Sequence, residues 1–555
     1  MYYGFNMQSF HEENLAWTKA LLTLDRLANL PVDETWFVTW SDAMKPCSAA
    51  YLLSLYRHYQ NIDDEQAKAH YTYVRQELQP QLEARYQKLA TKAIAWKPRD
   101  ERYARILKRL NLETDPENAN TSQLEAQVST ICDTYTRTVT KQHVLLGEPL
   151  TMQTVVARIN SEPEGKKRRH LWLQREKRLA DDYSTIDGLF LKAVGLRREI
   201  AKSAGAKNYL EYRWLDRYRT DYTPEDSINW LHDLHIAFSG IQQRFSTYLA
   251  ARLKVDKLRP WDQDVIQTRS GGNHRFDEAG YLYAIESAFG ALSPNFAIIV
   301  RDMIRKGHID LMNRPNKAGG NFATVLTPQA EPLVSCNGTG SLGDLRVMLH
   351  ETGHAVHYAL SSRKALSFEA FPRQEICEFA AYTFQTLASE YLVSNGTMNR
   401  VERGEFNLFV LSTVLQKFRN IEGIERFQHW LYTQEDVPSV EALDEAWSGF
   451  QNDQGVEWSA HEQYRNKGWQ QSLVFCQPFY SIEYVISWLG TLLFLGHYRE
   501  EPEAMIERFE RVLSYGRKRT IQETFAELDI QFPFRKRDIE QAAGVFELEF
   551  MRDLA

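Results

Sequence analysis

Apolar residues recur at three- and four-residue spacing through most of this chain, the period of an amphipathic helix. Residues 12–30, 47–95 and 98–111 carry the pattern with few Gly or Pro, and it resumes from about 123 to 255. Between these stretches, residues 113–122 (Glu-Thr-Asp-Pro-Glu-Asn-Ala-Asn-Thr-Ser) are rich in turn formers. They predict a boundary between an N-terminal helical lobe, 1–115, and a helical body, 116–555. The texture changes between about 318 and 340. Residues 321–326 and 333–336 have strand character and are separated by Thr327-Pro328-Gln329-Ala330-Glu331-Pro332. With Gly319-Gly320 before them and Asn337-Gly338-Thr339-Gly340 after, they read as a small hairpin. Helical periodicity returns at Leu342 and runs almost to Ala555. The pattern therefore predicts a mainly α protein, with one small β-sheet directly before a histidine-bearing helix.

Composition narrows the class without changing that picture. The chain has 555 residues, 43% hydrophobic and 12% aromatic, enough to bury a large core. Its 66 Lys+Arg against 73 Asp+Glu give a net charge of -7, which argues against a nucleic-acid partner. The basic run Lys166-Lys167-Arg168-Arg169-His170 lies within helical pattern and reads as a solvated helix face. The start of the chain lacks the features of a signal peptide. The longest apolar stretch, 485–496, is too short to span a bilayer, so no membrane association is expected. Five widely spaced cysteines without a CxxC do not form a disulfide framework and suit a cytoplasmic location.

The chemistry concentrates at His350-Glu351-Thr352-Gly353-His354, an HExxH. Residues four apart share a helix face, so both imidazoles can reach one tetrahedral Zn2+. Glu351, one step round, is placed to act as general base on a metal-bound water. Ser341-Leu342-Gly343-Asp344 has capping-box character and gives the helix its start. With 15 histidines in the chain, HExxH arises by composition in roughly a few chains per hundred, so context has to carry it. His357 continues the stripe but lies about two turns from His350, too far to share one ion at ~2.1 Å. A metzincin-type third histidine is absent, because position 360 is Leu.

The third ligand must come from another helix, and 373–384 reads as that helix. Glu375 and Glu378 share a side next to a face formed by Phe379, Thr383 and Phe384. A carboxylate bordering an apolar stripe is costly unless paired or metal-bound. On that reading Glu378 ligates zinc, and Glu375 holds a ligand histidine from behind. Two solvated surface carboxylates remain the plain alternative. Cys377 could ligate chemically but points about 100° away from Glu378.

These elements resemble the oligoendopeptidase F and thimet oligopeptidase family of zinc metallopeptidases. That family pairs HExGHxxH with a glutamate 24 or 25 residues after the second histidine; here Glu378 stands 24 after His354. Gly319-Gly320, Asn337-Gly338-Thr339 and Pro478-Phe479-Tyr480-Ser481-Ile482-Glu483-Tyr484 resemble further family segments, all within about 319–490. The resemblance implies a two-lobed helical fold with a deep central channel, one zinc per chain, and hydrolysis of short oligopeptides by an endopeptidase. It implies that Glu351 takes a proton from zinc-bound water, with Tyr484 and Tyr480 donating to the oxyanion. It also implies a substrate side built from Gly319, Gly320, Asn337, Gly338 and His357, with the hairpin edge receiving an extended peptide.

The chain departs from the family at one point. Members usually carry a histidine shortly before Pro-Phe-Tyr, and residues 471–477 contain none; the nearest is His461. Two other functions share these features: a peptidyl-dipeptidase or carboxypeptidase-type exopeptidase on the same fold, and a non-catalytic peptide-binding relative. Cys336, Cys377 and Cys476 lie beside motif residues, so partial sensitivity to thiol reagents is expected.

Overall fold

The computed structural model describes residues 7–114, 118–263, 265, 276–327, 329–363, 366–451 and 455–551. They fall into two compact units. One comprises Met1–Thr114, Gly272–Phe406 and Ile486–Phe532; the other comprises Asp115–Gly271, Asn407–Val485 and Pro533–Ala555. Both are mainly helical, as the periodicity predicts. Of the turn-rich stretch 113–122, residues 115–117 lie outside the described set, and a new helix begins at Asn118.

In the first unit, residues 1–114 share a core with the region that follows the HExxH. Trp36, Phe37, Trp40, Tyr103, Leu110 and Phe368 are all buried in one cluster. Arg102 donates from Nε and Nη2 to both carboxylate oxygens of buried Glu369, at 2.8 and 2.6 Å. Such a fork fixes orientation as well as proximity.

The expected hairpin is present, as strands β4 (Phe322–Leu326) and β5 (Glu331–Gly338), antiparallel from Phe322 opposite Ser335 to Leu326 opposite Glu331. A third strand, β3 (Ile309–Met312), runs parallel to β5 and makes the order β3-β5-β4. Periodicity does not reveal β3, because its first three residues are all buried and nothing alternates. The chain enters β3 through Gly307, whose φ of 69° caps the helix Pro294–Lys306.

The second unit corrects the reading of 123–255 as uninterrupted helical pattern. After the helix Asn118–Thr140 comes a two-stranded hairpin, β1 (His143–Leu145) and β2 (Pro149–Thr151), before helices resume at Met152. Gly147, at φ 85°, makes the turn. The basic run opens the helix Gly165–Ala180, and Lys166, Lys167 and Arg169 are exposed as expected. Arg168 is not. It is 1% exposed and pairs with Asp262, also 1% exposed, at 2.7 Å. The pairing, with further hydrogen bonds from Arg168 to the carbonyls of Glu162 and Pro163, offsets part of the cost of desolvating the charge. Among the described residues no helix is long and apolar enough to cross a membrane.

Candidate metal centre

The HExxH helix, Leu342–Ser362, starts where the sequence places it. Ser341 Oγ accepts from the Asp344 amide, and the Asp344 carboxylate accepts in return from the Ser341 amide. The second helix, Gln374–Ser394, brings Glu378 to the histidines. His350 Nε2 lies 3.5 Å from Glu378 Oε2, and His354 Nε2 lies 3.9 Å from Glu378 Oε1. One donor atom from each of the three lies within 4.8 Å of the others. Ligands on a tetrahedral zinc with ~2.0–2.1 Å bonds stand about 3.3 Å apart, close to the His350–Glu378 separation and within reach of the other pairs by side-chain adjustment.

What lets the helices approach is Gly353. A Cβ there would stand 3.1 Å from Ala381 Cα and 3.1 Å from both Cβ and Cδ2 of Phe384. Phe384 is itself held by Phe289, Phe296 and Phe509. The glycine inside the motif therefore serves helix packing, a role that HExxH spacing does not display.

The electrostatics fit a divalent cation. Burial keeps His354 neutral, its pKa lowered to about 4. Glu351, 9% exposed, is pushed up to about 8 by burial and by the like charge of Glu378. Two imidazoles, that of His354 held neutral by burial, and two carboxyl groups thus converge where a positive charge would relieve the repulsion. Two histidines and one carboxylate form a common catalytic zinc set, with a position left for water or substrate.

Neighbours not foreseen from sequence surround the set. Gln374 Nε2 donates to Glu378 Oε1 at 3.0 Å. Tyr382 lies against His350 with ring centres 4.9 Å apart, backed by Trp488 stacked at 4.3 Å. Tyr358 stacks on His354. Gln374 precedes Glu378 by one helical turn, the signal that could have revealed it.

The other candidates are distributed as follows. His357 lies outside the donor cluster and is fully buried; among the described residues neither ring nitrogen has a hydrogen-bond partner, and its pKa is lowered to about 3 by burial. Glu375 is buried, and its carbonyl accepts from Ser487 Oγ at 2.8 Å. At Gly319 and Gly320 a Cβ would meet nothing within 4 Å. Asn337 uses its side-chain amide on the carbonyls of Ala318 and Gly320, and so shapes the approach to β4. Gly338 is buried; a Cβ there would stand 2.4 Å from Met348 Cε. Cys336 and Cys377 are buried with their thiol pKa values pushed up, which makes both inert.

Tyr480 and Tyr484 belong to the second unit. Both are half-buried, their rings perpendicular at 5.3 Å. Arg217 lies 5.0 Å from the Tyr480 ring centre, and Lys417 Nζ lies 3.8 Å from that of Tyr484. The segment before them is held from several sides. Gln428 Oε1 accepts from the Phe479 amide at 2.6 Å, and Glu425 Oε1 accepts from the Ile482 amide at 3.2 Å. Arg219 binds Glu483 at 2.8 Å. His461 packs on Trp172 and Trp261, and His429 meets Phe479 edge-on at 5.6 Å.

A helical scaffold that joins an HExGH helix to a glutamate on its neighbour defines the metallopeptidase class. The chain belongs to peptidase family M3, whose sequence profile matches residues 159–544. Oligopeptidase PepF of Bacillus subtilis (strain 168) is 23% identical over 209 residues, an alignment spanning 35% of this chain and 30% of that protein. PZ peptidase A, solved with an inhibitor, superposes with a TM-score of 0.83 at 18% identity, covering all of both chains. A chain from Bacillus anthracis str. Ames assigned as oligoendopeptidase F gives 0.75 at 19% identity, over 99% of this chain and 97% of that one. These superpositions establish the fold.

Proposed function

We propose that this chain is a zinc-dependent metalloendopeptidase that hydrolyses short oligopeptides. The convergence of His350, His354 and Glu378 beside Glu351 carries the reading. His350, His354 and Glu378 would hold the zinc, one per chain, and Gln374 steadies the Glu378 carboxylate. When bound, zinc supplies Lewis acidity toward a carbonyl oxygen and toward water. Glu351 takes a proton from the attacking water and passes it to the leaving amine. The charge shared between Glu351 and Glu378 suits that role, because it raises the basicity of Glu351. Tyr484 and Tyr480 donate to the developing oxyanion, a role supported by the resemblance of 478–484 to the family segment.

For substrate alignment we assign the edge strand β4, to which an extended peptide adds by main-chain hydrogen bonds. Gly319 and Gly320 leave space for that backbone. Asn337, Gly338 and buried His357 act by shaping this side, and Glu375 by supporting the metal ligands from behind. Five free thiols support a reducing, cytoplasmic setting.

Cleavage of quenched fluorescent peptides tests the reading. Activity should vanish with a chelator, return with Zn2+, and fall by about 10²–10⁴ in Glu351→Gln while zinc stays bound. Chelator-insensitive hydrolysis, or full activity in Glu351→Gln, would refute it. A peptide amidated at its C-terminus separates the two peptidase modes, since only an endopeptidase cuts it.

A further inference from the structure

Around the candidate metal centre, solvent reaches the HExxH helix along one stripe. From Leu345 to His357 every residue is buried except Arg346, Val347 and His350, which are half-buried. Arg346 stands one turn before His350 and so shares the open side of the helix with the first candidate ligand. The helices Leu342–Ser362 and Gln374–Ser394 meet in successive rungs. His354 faces Glu378 at 3.9 Å, His350 faces Tyr382 with ring centres 4.9 Å apart, and Arg346 Nη1 donates to Gln385 Oε1 at 3.4 Å. Arg346 and Gln385 are therefore the next rung beyond the metal centre, and all of these residues belong to the first unit.

This rung holds a cation and no anion. Among the described residues the Arg346 guanidinium has no carboxylate within ion-pair distance, and the contact with Gln385 is its one hydrogen bond. Arg168 and Arg219, by contrast, meet Asp262 and Glu483. Asp344, the carboxylate nearest to Arg346 along the chain, is taken up by the Thr339 amide and hydroxyl and by the Ser341 amide. Arg346 Nε is buried without a partner, whereas Nη2 makes no hydrogen bond within the described residues and is open to solvent. Gln385, 1% exposed, is fixed by its surroundings and steadies Nη1. A guanidinium stripped of part of its water, held on one side and unpaired on the other, attracts an anion more strongly than one free in solution.

We propose that Arg346, positioned by Gln385, is a carboxylate-binding subsite that selects peptides with a carboxylate two or more residues from the scissile bond. The planar guanidinium matches both oxygens of a carboxylate, which gives geometric selection as well as attraction. The spacing follows from the helix. One turn advances about 5.4 Å and side chains lean toward the helix N-terminus, whereas an extended peptide advances about 3.3 Å per residue. The carboxylate can be an Asp or Glu side chain or the C-terminus of the peptide. The subsite deepens the peptidase reading and takes its substrate from it.

The test uses the full-length, zinc-loaded protein and an octapeptide of Ala, Gly and Phe, acetylated and amidated at its ends. Versions carry one Glu, Gln or Lys at each position in turn, and one neutral version has a free C-terminus. For the best position, kcat/KM should favour Glu over Gln by about 10–100-fold. An equal gain in the neutral peptide with a free C-terminus instead identifies the terminal carboxylate as the group bound. The preference should fall to within about twofold of unity in Arg346→Gln, persist in part in Arg346→Lys, and turn toward the Lys peptide in Arg346→Glu; circular dichroism checks the fold of each. No preference for either carboxylate in the parent, or the same preference in Arg346→Gln, overturns the proposal. Calorimetry separates this outcome from failure of the peptidase reading, because zinc-loaded Glu351→Gln binds the same peptides without turnover. Preferential binding of carboxylate peptides with no hydrolysis by the parent keeps the subsite and refutes the peptidase; hydrolysis without preference does the reverse.

Discussion

Gly353→Ala isolates the packing on which the candidate metal centre depends. An added methyl would stand 3.1 Å from Ala381 Cα and from two atoms of Phe384, so a few tenths of an ångström must be found. Ala381 offers backbone, which cannot rotate away, and Phe384 is wedged among Phe289, Phe296 and Phe509. The helices must therefore part. Overpacking of this kind costs about 1–3 kcal/mol, and backbone on one side places this case in the upper part of that range. Alanine returns about 1 kcal/mol through helix propensity, which leaves a net loss of about 1–2 kcal/mol. The effect on metal should exceed the effect on stability. Ligand distances tolerate only about ±0.2 Å, and parting the helices moves Glu378 from His350 and His354 by more. We expect zinc affinity, measured by competition with a chromogenic chelator, to fall at least about tenfold, on the scale of a lost supporting contact. The thermal midpoint should drop modestly. Gly188→Ala provides the control: a Cβ there meets nothing within 4 Å in the helix Tyr183–Ser203, so stability should rise by up to about 1 kcal/mol with zinc affinity unchanged. Parent-like zinc affinity in Gly353→Ala would refute the argument that this contact sets the ligand geometry.

Three further outcomes follow from the same geometry. Glu378→Ala should carry well below one zinc per chain by elemental analysis, and unchanged zinc would point to Glu375 or Cys377 as ligand. Gln374→Ala removes the 3.0 Å hydrogen bond to Glu378 Oε1 and should weaken zinc binding about 10–100-fold without unfolding the chain, as chelator competition and circular dichroism would show. Tyr484→Phe should lower kcat by about 10²–10³ with zinc content unchanged; parent-like kcat would assign the oxyanion contact elsewhere.

Much of the site was legible in the sequence because it is local. HExxH and the Ser341/Asp344 box depend on helical period and capping alone, and both appear at the expected positions. The hairpin was legible because β-branched and apolar runs bounded by turn residues declare themselves within a dozen positions. Strand β3 was hidden because both its faces are covered, and burial on both sides erases alternation. The hairpin at 143–151 was hidden because two three-residue strands are too short to interrupt a helical pattern visibly. Arg168 was misread for a related reason: composition marks a basic run, whereas only the fold supplies Asp262 as partner.

The sequence by itself singled out the residues proposed to carry the chemistry, because the two histidines and Glu351 are spaced by one helix turn and Glu378 follows on a later helical stretch. Tertiary structure decided what those residues experience. Helix packing at Gly353 brings Glu378 within 3.5 Å of His350, and burial holds His354 neutral and raises Glu351. Spacing along a chain fixes only neighbours within a turn, while desolvation and contact at a distance arise only when separate helices close on one another.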